Sequence, residues 1–359
     1  MPGASCRRPT PSGSSPSPMS RCWPRSSMPA GKSDRRPRFN APCPPLRKDQ
    51  SMKLASLLAL ASAPLALLAA TPALADHHAE PAAATTPATP GLWKVADEDT
   101  TIYLFGTFHF LPKDVEWLTP PVAEAMDSAD LVVKELGPES EEMATIQAAV
   151  MKHGLLAPDQ SLSGLLTPEQ NAKLAAVLTE LEPQLAATGM SPAVIDRLRP
   201  WFAFINITVA KFGQMGFGAE SGVERVIAER TKDKQRIGLE TLDQQFGFFA
   251  SLSNEDQVRL LMTTVEGLDE METALPAMVE NWRMGKVDEL AALLNDDMSE
   301  ANISDLILFD RNAAWAEWIG ARMDEPGTVF IAVGAGHLGG PKSVQDFLAQ
   351  KGITVTRVQ

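Results

Sequence analysis

The sequence predicts an α/β domain, and three observations support this prediction. Two short β-type runs, at 101–105 and 328–333, are each followed by a glycine and, three residues later, by a histidine. Further short apolar runs end near residues 136 and 240. The long stretches between these runs show the apolar periodicity of amphipathic helices.

Residues 1–51 do not have the pattern of a folded domain. They are rich in Pro, Ser and Arg, lack periodic apolar positions, and contain all three cysteines of the chain. So few apolar side chains cannot offset the entropy lost on ordering, and we expect disorder. We interpret this segment as a non-native upstream extension, with Met52 as the expected start.

Residues 52–75 are predicted to be a secretory signal peptide. Lys53 supplies the positive start, residues 54–70 are almost wholly Leu and Ala, and Ala-Leu-Ala at 73–75 forms a cleavage site. Two prolines interrupt this run, which is also short for a membrane span. We expect cleavage after residue 75, a periplasmic or secreted location, and no stable membrane insertion afterwards.

The charge of the processed chain excludes several classes of partner. Residues 1–75 carry eleven of the 32 Lys and Arg side chains but only two of the 45 Asp and Glu side chains. The rest of the chain therefore has 21 basic and 43 acidic side chains, a net charge of −22. We expect no binding to nucleic acid or to an anionic membrane surface. Without a cysteine, the processed chain has neither a disulfide nor a thiol nucleophile.

A single domain is predicted at 91–359, after a flexible linker at 76–90 that is rich in Ala, Pro and Thr. It opens with a hairpin of two β-type runs, at 92–95 and 101–105. A helix at about 120–128 and a strand at 129–136 follow, and the pair Gly-Pro at 137–138 ends this strand.

Helices are predicted to fill two long insertions, at about 140–232 and 253–319. Thr167, with Pro168 and Gln170 after it, has the spacing of a capping box. Strands are predicted at 235–241, 328–333 and 354–358, with a Gly-rich loop and a helix at 342–350 before the last of them. That loop lacks the features of a P-loop or a dinucleotide site, so nucleotide binding is not predicted.

Two histidines occupy matching positions in the predicted sheet. His109 and His337 each follow a strand and a glycine, whereas His153 precedes a glycine that ends a predicted helix, where a structural role is expected. Either of the first two alone would be explained as a turn residue bonded to a backbone carbonyl. Because ligands bind at the carboxyl ends of strands in an α/β sheet, the pair predicts one shared cleft.

Two glutamates end predicted strands in a similar way. Glu135 and Glu240 each close a short, mainly apolar run. Such a carboxylate is usually solvated, but a position beside His109 would suit a metal ligand or a base. Arg311 and Asn312 lie on the last long predicted helix, where the residues alone favour a surface salt bridge.

Together these motifs resemble the TraB/GumN family over about residues 91–359. The resemblance rests on Gly-Thr-Phe-His at 106–109, Glu135, Gly-Val at 222–223, Gly-Leu-Glu-Thr at 238–241 with Gln244 or Gln245 after it, Asp-Arg-Asn at 310–312, and Gly-Ala-Gly-His at 334–337. The order and spacing of these motifs are specific, although each alone is weak. Residue 310 is Asp where the family pattern usually has Glu.

The resemblance implies a central mixed β-sheet from two related halves, with a large, mostly helical insertion and both Gly-x-x-His loops in one cleft. It also implies that His109, Glu135 and His337 carry the site, with Arg311 nearby. The family is similar to the Tiki metalloproteases, described as manganese- or cobalt-dependent peptidases. It is more distantly similar to erythromycin esterases and ChaN-like haem-binding proteins.

The leading hypothesis is an exported, metal-dependent hydrolase that acts on a peptide or small-molecule substrate. His109 and His337 would bind one divalent metal (Mn, Co or Zn), with Glu135 or Glu240 as a third ligand or as the base. Arg311 would hold a substrate carboxylate or a developing oxyanion. Two alternatives remain: a metal-independent, esterase-like hydrolase that uses His and Glu, and a non-catalytic periplasmic protein that binds haem or metal.

Overall fold

A computed structural model describes residues 88–295 and 304–359 of the chain. The predicted upstream extension, the signal peptide and the linker up to residue 87 lie outside the described residues. At the start of the described part, the Thr89 N–H donates to the Arg283 carbonyl at 2.7 Å. None of the described helices is both long enough and apolar enough to cross a membrane.

A six-stranded mixed sheet forms the centre of the domain. Its strands are β1 (Leu92–Ala96), β2 (Thr100–Thr107), β3 (Leu131–Leu136), β4 (Gln235–Glu240), β5 (Gly327–Gly334) and β6 (Thr356–Arg357). In the order β4-β3-β5-β2-β1-β6, the first four are mutually parallel, while β1 and β6 are antiparallel to their neighbours. This confirms the predicted mixed α/β fold, and the carboxyl ends of four strands share one edge.

Helices occupy the long connections between these strands. Helix α1 (Pro120–Ser128) joins β2 to β3. Between β3 and β4 lie α2 (Met143–Ala149), α3 (Leu162–Leu165), α4 (Pro168–Glu180), α5 (Glu182–Ala187), α6 (Pro192–Ile195), α7 (Pro200–Gln214) and α8 (Val223–Arg230). Between β4 and β5 lie α9 (Leu242–Ser251), α10 (Asn254–Gly267), α11 (Met271–Arg283), α12 (Val287–Asn295) and α13 (Asp310–Arg322), and α14 (Val344–Gln350) follows β5.

Short turns of other helix types complete these connections. The 3₁₀ turns are Pro138–Glu141, Ala219–Ser221, Leu268–Glu270 and Ala335–Leu338, and the π-helical segments are Val150–Gly154 and Asp305–Phe309. The start of the first predicted helical insertion, at 138–154, is therefore divided into a 3₁₀ turn, α2 and a π-helical segment. The division begins at Glu142, whose extended backbone (ψ 127°) interrupts the helix.

Side-chain caps explain where several helices begin. Thr167 Oγ1 accepts from the Gln170 N–H, and the Gln170 side chain accepts from the Thr167 N–H. This is the predicted capping box. Thr241 and Gln244 form the same arrangement at the start of α9, immediately after β4. The second cap fixes the direction in which the chain leaves the sheet beyond Glu240.

Apolar side chains cover both faces of the sheet. On one face, Phe105 and Phe330 pack with the buried residues of α7, a helix that is apolar on nearly all sides. On the other face, Leu104 and Ile331 pack with residues of α13 and α14. Alternate residues of each strand point to opposite faces, so an apolar run can fill both layers.

Candidate active site

The shared edge of the sheet brings together the four side chains that the sequence singles out at strand ends. Glu135 lies at the end of β3 and Glu240 at the end of β4. His109 follows β2 by two residues, and His337 follows β5 by three. All four are at most 9% exposed. Both glutamates are therefore buried, unlike most carboxylates at strand ends.

Arg311 enters this edge from α13 and is buried, so the surface salt bridge that the residues alone favour is wrong. Its Nε donates to Glu240 Oε1 at 2.8 Å, and its Nη2 donates to Glu135 Oε2 at 2.7 Å and to Glu240 Oε2 at 2.9 Å. Its Nη1 donates to the Ile307 carbonyl at 3.0 Å and lies 3.3 Å from His337 Nε2. With its N–H groups committed in this way, Arg311 is better placed to position the glutamates than to hold a substrate anion.

Glu240 is fully engaged by neighbouring donors. In addition to Arg311, the Trp315 Nε1–H donates to Oε1 at 2.9 Å and the Gln245 Nε2–H donates to Oε2 at 3.0 Å. The ring of Trp315 also lies 4.8 Å from the Arg311 guanidinium, a cation–π contact. A carboxylate held on both oxygens is poorly suited to act as a ligand or base, so Glu240 supports the site indirectly.

Glu135 has fewer hydrogen-bond donors around it than Glu240, and its Oε1 lies near the two histidines. Its Oε1 accepts from the Gly334 N–H at 2.8 Å and lies 3.9 Å from His337 Nε2. Burial raises the pKa of Glu135, but the Arg311 charge, the two histidines and the Gly334 N–H together outweigh burial and lower the pKa to about 2. Glu135 is therefore a carboxylate at neutral pH and a weak proton acceptor, which suits a ligand better than a base.

His337 is held in one orientation by an amide. Its Nδ1 lies 2.6 Å from Asn312 Oδ1, while the Asn312 Nδ2–H donates to the Lys342 carbonyl. Because the amide oxygen only accepts, we assign the ring proton to Nδ1 and a lone pair to Nε2. Burial and the Arg311 charge lower the pKa of His337 to about 3, so the ring is neutral at physiological pH.

His109 has the opposite surroundings. Its Nδ1 lies 2.8 Å from Glu224 Oε1, close enough for an ion pair although the two groups are not aligned for a hydrogen bond. Burial lowers the pKa of His109, but the nearby Glu224 and Glu135 carboxylates together outweigh burial and raise the pKa above its usual value. Its Nε2 is buried and has no hydrogen-bond partner among the described residues.

Glu224 is a functional residue that sequence reasoning missed. It lies in the first turn of α8, and Val223 N–H donates to the Phe108 carbonyl at 3.1 Å. A Cβ on Gly222 would lie 2.1 Å from the His109 carbonyl oxygen, so only glycine permits this approach. The Gly-Val pair at 222–223 was the only sequence signal, and its function is to bring Glu224 to the histidine loop.

Gly334 shows how closely three of these groups converge. A Cβ built on this glycine would lie 3.1 Å from Glu135 Oε1, 3.6 Å from His337 Cδ2 and 4.0 Å from His109 Nε2. Both histidines also line one cavity, which encloses about 560 Å³ of empty space, part of it open to solvent. The two Gly-x-x-His loops therefore meet at one site.

The family model for TraB/PrgY/gumN matches residues 91–357, which include every residue of this cluster. The chain belongs to the TraB/PrgY/gumN family. No curated protein and no solved structure matches the chain. The match confirms the family resemblance of the motifs, while the similarity to the Tiki metalloproteases stays a prediction.

In this TraB/PrgY/gumN protein, two other candidates lie apart from the cluster. Asp310, the departure from the usual family pattern, is exposed on α13, so the shortened carboxylate does not alter the buried site. His153 Nε2 lies 2.8 Å from Asp243 Oδ1, and the Trp201 Nε1–H donates to its carbonyl oxygen. These contacts join the π-helical segment to α7 and α9, in agreement with a structural role.

The donor set of this family member fits a divalent cation in chemistry and charge. Each histidine has its Nδ1 beside an oxygen, which is how metal-binding histidines are usually oriented, and His337 Nε2 also lies 3.3 Å from Arg311 Nη1. With both histidines neutral, the three carboxylates Glu135, Glu224 and Glu240 and one Arg311 give the cluster a net charge of −2. As they stand, however, no three His, Cys, Asp or Glu side chains of the described residues are arranged to hold a metal ion.

Proposed function

We propose that this protein is an exported, metal-dependent hydrolase that cleaves peptide or amide bonds. The observation that carries the proposal is the convergence of His109 Nε2, the His337 ring and Glu135 Oε1 around Gly334, beside one cavity. The proposed export rests on the predicted signal peptide at 52–75. Among the residues described, neither a cysteine nor a Ser-His pair at this site offers an alternative nucleophile.

His109, His337 and Glu135 would hold the cation. Two ligands of one such ion lie roughly 3 to 4 Å apart when each bond is about 2.1 Å long. The separation of 3.9 Å between His337 Nε2 and Glu135 Oε1 falls in this range. A bound divalent ion supplies Lewis-acid polarisation of the scissile carbonyl.

The surrounding residues would keep these donors in the required ionisation state. Asn312 fixes the His337 tautomer, and Arg311 keeps that ring neutral and Glu135 ionised. The Glu224 carboxylate lies 2.8 Å from His109 Nδ1, which favours a neutral ring with its proton on Nδ1 and its lone pair on Nε2. Since the pKa of His109 is raised, cation binding would release a proton from this ring.

A second candidate function, metal-independent hydrolysis, is favoured by the His109–Glu224 pair. A histidine whose Nδ1 faces a buried carboxylate, with its Nε2 free, has the arrangement of a general base. In this case His109 would take a proton from water, and Glu224 would stabilise the resulting imidazolium. Glu135, with its low pKa, would not compete for that proton.

Peptide cleavage assays separate the two candidates. We expect the purified protein to lose activity on chelator treatment and to regain it with Mn²⁺, Co²⁺ or Zn²⁺. His109→Ala, His337→Ala and Glu135→Ala should each lower kcat/KM by about 100-fold or more, whereas His153→Ala should leave it unchanged. Activity that resists the chelator but requires His109 would support the second candidate. Failure to cleave any member of a broad peptide library would contradict both.

A further inference from the structure

Five apolar side chains from helices line the cavity beside the histidines. Phe212 comes from α7, Leu275 and Met278 from α11, Leu290 from α12, and Leu308 from the π-helical segment before α13. Each of these five is at most 5% exposed. We call these five residues the apolar wall.

The apolar wall is fixed relative to the histidine loops. Leu275, Met278 and Trp282 follow the three- and four-residue spacing of one face of α11. The Trp282 Nε1–H donates to the Gly106 carbonyl at 2.8 Å, three residues before His109. The α11 part of the wall is therefore tied directly to the end of β2.

A second contact supports the α7 side of the wall. The ring of Phe212 lies 5.3 Å from that of Phe110, the residue directly after His109. The adjacent Leu111 forms a two-way backbone bridge with Gly218, just beyond the end of α7. The residues that directly follow His109 therefore contact the α7 side of the apolar wall. This arrangement is typical of a pocket that is formed before a ligand binds.

Few polar groups line the cavity. Its polar members are Thr107 and the two histidines, and none of the lining residues is Lys, Arg, Asp or Glu. Arg311, whose Nη1 lies 3.3 Å from His337 Nε2, already donates to Glu135 and Glu240. A charged substituent in this cavity would lose its hydration without a compensating ion pair.

We propose that the apolar wall is the specificity pocket of the site. It would take a bulky, uncharged side chain, of the size of Leu or Phe, on the residue next to the bond that is cleaved. The empty space of the cavity is partly open to solvent, which gives a substrate side chain a route into it. Cleavage of such substrates rests on the proposed function, whereas their binding does not.

The test uses N-acetyl amino-acid N-methylamides, whose side chains are Ala, Leu, Phe, Glu or Lys. Their dissociation constants for the intact protein, measured by NMR titration, are compared with kcat/KM on peptides that differ at the same residue. One methylene group in an apolar pocket changes selectivity by roughly 10-fold or more. We therefore expect the Leu and Phe compounds to have about 100-fold higher affinity and kcat/KM than the Ala compound. The Glu and Lys compounds should bind most weakly and be cleaved most slowly.

Met278 variants test the wall itself. Met278→Ala should widen the pocket and raise the preference for Phe over Leu by about 10-fold. Met278→Lys should weaken binding of the Phe amide and strengthen binding of the Glu amide. Met143→Ala and Met143→Lys are matched controls, because Met143 is 66% exposed, and they should change neither preference.

The outcomes separate this inference from the proposed function. Selective binding of Leu and Phe amides without any peptide cleavage would support the pocket and contradict the hydrolase. Cleavage with equal kcat/KM for all five side chains would support the hydrolase and overturn the pocket. If the Met278 variants do not fold, the wild-type series alone decides, because equal affinity for all five amides overturns the inference.

Discussion

His109 and His337 follow the same local pattern, yet the molecule gives them opposite electrostatic surroundings. His109 lies beside the Glu224 carboxylate, which raises its pKa, whereas His337 lies beside Arg311, and its pKa falls to about 3. The strand, the glycine and the spacing are equivalent in the two loops. The comparison shows that local sequence places a histidine at the sheet edge, while distant helices decide its protonation.

The largest effect, a loss of stability, is expected from replacing Arg311, the cation beside His337. Arg311→Met keeps much of the side-chain volume but leaves Glu135 and Glu240 buried without a counter-charge. Breaking a buried ion pair in this way costs about 3–5 kcal/mol, so the free energy of unfolding should fall by that amount. Denaturant unfolding monitored by circular dichroism measures the change.

A matched control for this variant is Arg230→Met. Arg230 makes two hydrogen bonds to Asp127, but the pair is exposed. Exposed ion pairs contribute about 0–1 kcal/mol, so this variant should be nearly as stable as the wild type. Equal loss in the two variants would contradict the buried role of Arg311.

A smaller effect, on metal affinity, is expected from replacing Glu224, the carboxylate beside His109. Glu224→Gln keeps an oxygen near Nδ1 but removes the charge, so the pKa of His109 should fall. Loss of such a partner typically lowers metal affinity by about 10- to 100-fold. Calorimetric titration with Zn²⁺ measures this change. Glu229→Gln, on the same helix but exposed, is the control, and an equal affinity in both variants would count against the Glu224 contact.

The smallest but most direct comparison is the titration of the two rings. Proton–carbon NMR spectra should show His337 neutral down to about pH 3 and His109 protonating above pH 6.5. In urea, all the histidines should titrate together near the reference value of about 6.5. Equal pKa values for His109 and His337 in the folded protein would contradict their different surroundings.

These pKa shifts have opposite consequences for stability. Between about pH 3 and 6.5 the unfolded chain protonates His337 while the folded chain does not, so this contribution is lost as pH falls through that range. The contribution of His109 is present below pH 6.5 and is lost as pH rises through its raised folded pKa. Unfolding free energies from pH 4 to 9 should therefore show a maximum inside that range.

Much of the sheet edge was predictable from the sequence, because it depends on local patterns. An apolar run that stops at a glycine or glutamate marks a strand end, and this placed His109, Glu135, Glu240 and His337 together. The capping box at Thr167 was predictable for the same reason, since its two partners lie three residues apart.

The contacts that tune the site were not predictable from local pattern. Glu224 lies more than a hundred residues after His109, and their contact depends on the close approach of Gly222 to the histidine loop. Arg311 has the spacing of a surface residue, and its burial depends on α13 packing across the ends of β3 and β4. Such contacts follow from tertiary packing, which no periodicity in the chain encodes.

The most direct test of the central claim, that both loops serve one metal site, is a calorimetric metal titration. Chelator-treated wild type, a His109→Ala/His337→Ala double variant and a His153→Ala control are each titrated with Mn²⁺, Co²⁺ and Zn²⁺. We predict about one ion per chain for the wild type and the control, and none for the double variant. Absence of binding to the wild type, or unchanged binding in the double variant, would contradict the claim.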